Sequence, residues 1–430
     1  MAEHKGEEPM AFLTRINDVL SALFCAFFAY QIVYLLIALF RRGKPLPPAA
    51  PRRYAALICA RNEEAVIGNL IDSIRAQKYP AGLVDIYVCA DNCTDGTAKL
   101  ARAHGAVVFE RFDALRIGKG YALDFLFERL RASGAFPRYE GFFFFDADNL
   151  LHENFIAEMN KSFAAGNRIV TGYRNSKNFG DNWISAGYSL WFLRDAQYMN
   201  NPRMQIGISS VVSGTGFLVA RSVIEKNGGW PFHLLTEDTE FTIDSVLSGE
   251  FIAYCGGAIL YDEQPTSFRQ SWHQRLRWSR GYLQVLRKYG LRLVSGMFRG
   301  GKRGYACFDM LMAILPAIVL TLACTLLNVG GALYSLIVLH EPVFGTLFAE
   351  LLRWFGGMYV TLLFTGSVTL VSEWRHIYCG SFRKVFFLFT FPLFMMTYLP
   401  VSVAALFRKA EWKPIRHSVS KTLSDLRDAA

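Results

Sequence analysis

Phe142-Phe143-Phe144-Phe145 runs directly into Asp146-Ala147-Asp148. Four consecutive phenylalanines leave no face for water, so the segment reads as a strand buried in a sheet. The two aspartates then emerge abruptly at its end. The flanking chain fits the same architecture. From Tyr54 to about Tyr261, short apolar runs alternate with helical stretches. Tyr54–Ala60, Asp85–Ala90, Ala106–Glu110 and Gly141–Phe145 read as strands, with helices over Glu64–Gln77, Thr97–His104 and Gly120–Ala132. That alternation predicts an α/β domain with a mostly parallel sheet. Ligands of such sheets bind at the carboxyl ends of strands, and Arg61, Asp91, Asp146 and Asp148 fall there.

Apolar blocks frame this domain. Hydrophobic residues make up 52% of the chain and charged residues 19%, which is more apolar than a typical soluble domain. Val19–Phe40 is long enough to cross a bilayer core of about 30 Å. The segment before it mixes Glu3, Glu7, Glu8 and Asp18 with Lys5 and Arg15 and lacks the basic start of a signal peptide, so an anchor is expected. Arg41, Arg42, Lys44, Arg52 and Arg53 follow and place the next domain on the cytoplasmic side. Pro45, Pro47, Pro48 and Pro51 stiffen the linker. Pro265 to Phe298, rich in Arg, Trp, Tyr and Leu, reads as amphipathic helices in the membrane interface. Asp309–Leu339 and Val343–Val371 are each long enough for a tilted span. Val385–Phe407 is interrupted by Pro392 and Pro400. The tail (Arg408, Lys409, Lys413, Arg416, Lys421) is basic and argues for a cytoplasmic C-terminus. The Pro-broken block is therefore expected to be re-entrant or interfacial. The resulting division is 1–44 tail and anchor, 45–264 catalytic domain, 265–303 interface helices, 304–407 membrane region and 408–430 basic tail. The location implied is the plasma membrane, in several passes.

The formal charge of +10 comes from 46 basic and 36 acidic residues. Because many of the basic residues flank apolar blocks, it points to membrane topology and an anionic substrate rather than nucleic acid. The eight cysteines contain no CxxC pair and read as free thiols.

The chemistry is carried by five motifs. Asp146 and Asp148 offer hard oxygen ligands suited to Mg²⁺ or Mn²⁺ bridged to substrate phosphates. Thr236-Glu237-Asp238 begins a helical pattern with Glu240 and Asp244. There Asp238, beside Glu237, reads as a general base that takes the proton of an attacking hydroxyl. Gln274-Arg275-Leu276-Arg277-Trp278 puts Gln274, Arg277 and Trp278 on or near one helical face. Arg277 suits a diphosphate and Trp278 a sugar ring. Ser213-Gly214-Thr215-Gly216-Phe217 is a glycine-bearing loop that permits close approach, or a bulge in a strand. Gly118-Lys119-Gly120 directs Lys119 to a nucleotide or acceptor without forming a P-loop.

Together these motifs resemble the processive membrane glycosyltransferases of family 2, the hyaluronan, chitin, cellulose and poly-N-acetylglucosamine synthases. The match is carried by Asp146-Ala147-Asp148, Thr236-Glu237-Asp238 and the QxxRW pattern at Gln274–Trp278. The resemblance implies a GT-A-type domain and an inverting transfer from a UDP-sugar. UDP-N-acetylglucosamine is the first expectation and UDP-glucose the second. The acceptor would be a growing β-linked polysaccharide. It implies that Ala60, Arg61 and Glu63 form the uridine-binding turn and that Asp91 meets the uracil or ribose. Lys119, Asp146, Gln274 and Arg277 would complete the nucleotide site. Gly214, Thr215, Gly216 and Trp278 would line the acceptor. The segment Phe407–His417 is similar to a gating loop, with Trp412 over the donor, although Lys413-Pro414 replaces the expected Gly-Thr. Two other readings stay open. One is a lipid glycosyltransferase acting on diacylglycerol or a polyprenyl acceptor. The other is a non-catalytic, sugar-binding membrane protein. A dinucleotide oxidoreductase is disfavoured because no GxGxxG follows the first strand.

Overall fold

The computed structural model describes residues 7–41, 43, 45–315, 326–331, 333, 334, 336, 337, 344–408, 410, 417 and 421–428. Trp412 and the centre of the Asp309–Leu339 block lie outside these residues.

The domain is built on an eight-stranded sheet of order β3-β2-β1-β4-β7-β6-β8-β5. Its strands are β1 (Tyr54–Ala60), β2 (Val84–Asp91), β3 (Val107–Arg111), β4 (Gly141–Asp146), β5 (Leu150–Leu151), β6 (Ile169–Ser176), β7 (Phe217–Ala220) and β8 (Ile252–Asp262). β1, β2, β3 and β4 are parallel, as the βα alternation predicts. β6 also pairs in parallel with β8, so among the described residues four of the seven strand pairings are parallel, as expected. β7 runs antiparallel to β4 and β6, and β5 antiparallel to β8. The sheet is therefore mixed. The reason is the return of the chain through the glycine loop: β7 enters beside β4 from the site end and so runs against it.

The phenylalanine run alternates its side chains between two cores. Phe143 and Phe145 pack with Ile58, Val88 and Ile156 on one face. Phe142 and Phe144 pack with Leu126, Phe127, Phe217 and Trp230 on the other. All four are fully buried. Full burial of each ring contributes about 2–3 kcal/mol, and it also fixes the register that delivers Asp146 to the strand end. The first helix starts at Ile67 rather than Glu64, because residues 61–66 form the turn that leaves β1.

Among the described residues, three segments are long and apolar enough to cross a membrane: Asn17–Phe40, Leu351–Ser372 and Ser381–Phe407. The expected interface helices are one long helix, Phe268–Met297, followed by another from Gly301 to Ile314. Asp309 does not open a lipid-facing span. It is fully buried and pairs with Arg203, whose Nε lies 2.6 Å away. The last apolar block is helical straight through Pro392 and breaks only at Thr397, giving Ser381–Met396 and Tyr398–Phe407. Both halves lie against the domain. The first packs along the aromatic helix Trp183–Arg194, where Gly187 sits under the Phe394 ring. The second packs along Phe268–Met297, through Leu276, Val401 and Ala405.

Arg275 ties these layers together. It is fully buried and donates to Phe394 O at 3.3 Å and Thr397 Oγ1 at 2.5 Å, between the rings of Phe394 and Tyr398. Arg275→Ala is expected to lower stability by about 2–3 kcal/mol, because it orphans those acceptors. Thermal unfolding in detergent measures it, and an unchanged midpoint would refute this role.

Candidate active site

The site forms where β1, β2, β4, β6 and β8 end. The turn after β1 and the turn after β2 lock each other. Asn62 and Asn92 both adopt left-handed backbone, with φ of 58° and 52°, a conformation Asn tolerates. Thr94 N–H donates to Asn62 Oδ1 at 2.8 Å, Gly96 N–H to Glu64 Oε2 at 2.7 Å, and Glu63 N–H to Thr97 Oγ1 at 2.8 Å. The Cys93 thiol reaches Ala60 O at 3.4 Å. These contacts shape the cradle expected for Ala60, Arg61 and Glu63. Asp91 is buried there, with Oδ1 accepting from Arg111 at 2.6 Å and from Asn92 at 3.0 Å.

At the end of β4, Asp146 N–H donates to Thr215 Oγ1 at 2.9 Å and to Asn149 Oδ1 at 3.1 Å. The Asp146 carboxylate pairs with Lys119, whose ammonium also reaches Gly214 O at 2.7 Å. Lys119 therefore faces the acidic motif and the glycine loop together. Asp148 is buried and accepts from Glu263 N–H at 2.8 Å. Burial alone would raise its carboxyl, but His417, Lys177 and the Glu263 N–H outweigh it and hold Asp148 below the usual carboxylate range.

The glycine segment is a loop ahead of β7, not a bulge within it. Gly214 has φ +83°, and a methyl placed on it would lie 3.5 Å from Asp238 Oδ2. Glycine thus brings this loop against the acidic helix Glu237–Leu247. Burial raises both Glu237 and Asp238. Glu237 is pushed up to about 7, with Asp238 adding to the effect and Lys119 and Arg277 opposing it. Asp238 is also raised, against the pull of the Thr239 N–H, Lys119, Arg277 and Arg174. Glu240 serves the fold: it accepts from Leu234 N–H and pairs with Lys288.

The QRLRW helix crosses beside this acidic pair, and Gly281 lets it approach Thr236. The two arginines divide their work. Arg277 lies on the site side and donates to Leu235 O at 2.9 Å, while Arg275 faces the apolar helices. Gln274 is half-buried, and its buried Oε1 has no hydrogen-bond partner among the described residues. Trp278 packs edge-on to Tyr188, with ring centroids 5.8 Å apart, and against Phe192 at 6.3 Å. It forms part of an aromatic wall that continues into Phe394.

Three site residues escaped the sequence reading. Arg174 at the end of β6 is paired with Asp262, reaches Ser213 O at 2.8 Å and lies 3.7 Å over the Phe192 ring. Burial raises Asp262 to about 6, with Arg174 opposing and Asp148 adding. The third is His417, whose Nδ1 lies 2.9 Å from Glu63 Oε2 and whose Nε2 lies 4.0 Å from Asp148 Oδ2. No local pattern marks a lone histidine in a basic tail 354 residues from its partner. Beyond His417, Lys421 reaches Lys177 O at 3.3 Å, and Leu426 is buried against Leu150 and Tyr261.

Among the described residues, no group of three or more His, Cys, Asp or Glu side chains converges to hold a metal by itself. The ionised Asp148 next to Asp146 instead fits a hard cation whose shell is completed by substrate phosphates.

The strand ends thus gather an acidic pair, a facing acidic helix and Arg277 on one side of the sheet. The sequence matches the family described as "Glycosyltransferase like family 2" over residues 51–281, and the chain belongs to that family. It is 26% identical over 261 residues to the probable glycosyltransferase YdaM of Bacillus subtilis, covering 55% of this chain and 57% of that one. It is 29% identical over 282 residues to a β-monoglucosyldiacylglycerol synthase of Nostoc sp., covering 62% and 56% respectively. The chain thus spans little more than half the length of these relatives. The fold is shared with a mannosyltransferase of Pyrobaculum calidifontis solved with GDP-Man and Mn²⁺, at a TM-score of 0.56 and 15% identity, covering 91% of this chain and 99% of that one.

Proposed function

We propose that this protein is an inverting glycosyltransferase that moves one or a few hexose units from a UDP-sugar to a membrane lipid. The observation that carries the lipid acceptor is the seating of the last apolar block. Ser381–Phe407 lies along the helices that bear Trp183–Arg194 and Arg277-Trp278, with Phe382, Val385, Phe386, Phe389 and Leu393 left exposed. An apolar surface therefore runs up to the acidic site, where a diacylglycerol or polyprenyl acceptor would present its head group. The named activity of the Nostoc relative supports the same acceptor class.

In this reading the β1 and β2 turns hold the nucleoside. Asp148 and Asp146 would hold Mg²⁺ or Mn²⁺, whose charge would offset that of the leaving diphosphate. Arg277 adds positive charge on the opposite side. Asp238 takes the proton of the acceptor hydroxyl while that oxygen attacks the anomeric carbon from the face opposite the diphosphate. Gly214, Thr215 and Gly216 border that hydroxyl, and Trp278 closes the aromatic wall beside it. The domain and tail lie on the cytoplasmic side. The last block lies in the interface, as its contacts at both ends favour: Arg383 with Gly180, and Arg280 with Ala405.

The test is UDP release from detergent-purified protein with each UDP-sugar in turn, with and without diacylglycerol. Release that requires lipid, with short glycolipid products, is expected. Lipid-independent release with a long glycosidase-sensitive product would overturn the lipid reading. It would establish the processive polysaccharide synthase that QRLRW favours.

A further inference from the structure

We propose that Arg111 sets the base specificity of the donor site by occupying one oxygen of Asp91, so that only a base offering a single ring N–H is accepted. This rests on the nucleoside reading of the β1 and β2 turns given above.

The placement comes from strand register. β2 and β3 are parallel and pair Asp91 directly with Arg111, the last residue of each strand. Both side chains are almost wholly buried, so neither is spent on solvent. Arg111 donates to Asp91 Oδ1 at 2.6 Å, and Asn92 Nδ2 donates to the same oxygen at 3.0 Å. Two donors on one carboxylate oxygen saturate it. Among the described residues, Oδ2 accepts no hydrogen bond. The rest of the guanidinium is also committed: it reaches Arg116 O at 2.7 Å and Asp113 Oδ2 at 3.2 Å. Asn92 is fixed in turn, since its Oδ1 accepts from Asp113 N–H at 2.9 Å and its Nδ2 also reaches Asp113 O at 3.2 Å. Neither partner of Oδ1 can swing away without breaking this network.

The consequence is chemical. Guanine presents two adjacent donors, a ring N–H and an exocyclic amine, and needs both oxygens of a carboxylate. Uracil presents one ring N–H between two carbonyls and needs one oxygen. Cytosine has no proton on that nitrogen and would set a lone pair against Oδ2. A carboxylate with one oxygen already filled thus matches uracil. Arg111 does not touch the base in this scheme and is a positioning residue.

Ligand-side probes test this in the unmodified protein. Calorimetry with UDP, GDP, CDP and 3-methyl-UDP, all with Mn²⁺, is expected to show UDP tightest. Loss of the single N–H in 3-methyl-UDP should weaken binding about 10- to 100-fold. Arg111→Gln should narrow the UDP-over-GDP ratio about tenfold or more, and Arg111→Lys should restore part of it. Arg102→Gln, at an exposed ion pair with Glu110 outside this network, should leave the ratio unchanged. Equal binding of 3-methyl-UDP and UDP would overturn the proposal. So would an unchanged ratio in folded Arg111→Gln. No binding of any nucleoside diphosphate would instead remove the donor-site reading on which the proposal stands.

Discussion

Asp238→Asn is expected to reduce glycosyl transfer about 10²- to 10⁴-fold while leaving UDP binding intact, the range typical of a lost general base. The asparagine is nearly isosteric and keeps the contact with the glycine loop, but it cannot take a proton. Single-turnover rates and UDP calorimetry separate the two effects, and unchanged turnover would remove Asp238 as the base. The environment also fixes the sign of the pH dependence. Burial raises the Asp238 carboxyl, so its proton leaves only above the ordinary carboxylate range. Turnover should climb with pH through that raised value and then level off. Glu237 holds its proton to about 7, raised by burial and by the neighbouring Asp238 charge. Because both are raised in the folded protein, the unfolded chain loses these protons first as pH rises. Stability contributed by this pair therefore falls from the ordinary carboxylate range up to about pH 7. Glu237→Gln should flatten that fall in a melting-temperature series from acid to neutral pH.

Asp148→Asn should abolish turnover and make UDP binding independent of Mn²⁺. Metal neutralisation of a leaving diphosphate contributes several kcal/mol, so a loss of about 10³-fold or more is expected. Asp148 is the more sensitive of the acidic pair. It is buried yet held ionised by His417, Lys177 and the Glu263 N–H, whereas Asp146 is partly exposed and shared with Lys119. Asp146→Asn should therefore cost less. UDP titrations with and without Mn²⁺, read also by Mn²⁺ electron paramagnetic resonance, measure this directly. Metal-dependent binding that survived in Asp148→Asn would sink its assignment as a ligand.

Much of the fold was legible because its determinants are local. The four phenylalanines, the βα alternation and the apolar blocks each satisfy a burial requirement that can be read residue by residue. The parallel half of the sheet and the emergence of Asp146 and Asp148 at a strand end followed from these. The acidic and QRLRW motifs were also visible, since each sits within one helix. Membership of glycosyltransferase family 2 was equally accessible from those motifs, and the match over residues 51–281 bears it out; that match does not extend to the processive subtype.

What lay beyond the sequence depends on which distant segments meet. The antiparallel entry of β7 is set by the path of the returning chain, which no periodicity encodes. The split of the two arginines, Arg277 to the acidic site and Arg275 to Phe394 and Thr397, depends on what packs on each face of one helix. Arg174 and Asp262 meet across the paired strands β6 and β8, and Arg111 meets Asp91 through strand register. His417 reaches Glu63 only because the tail folds back to the sheet. Hydrophobic burial is written into local composition, and it determined the domain and the apolar helices that frame it. The pairing of buried charges across hundreds of residues is a property of the closed structure, and it decided how the site is wired.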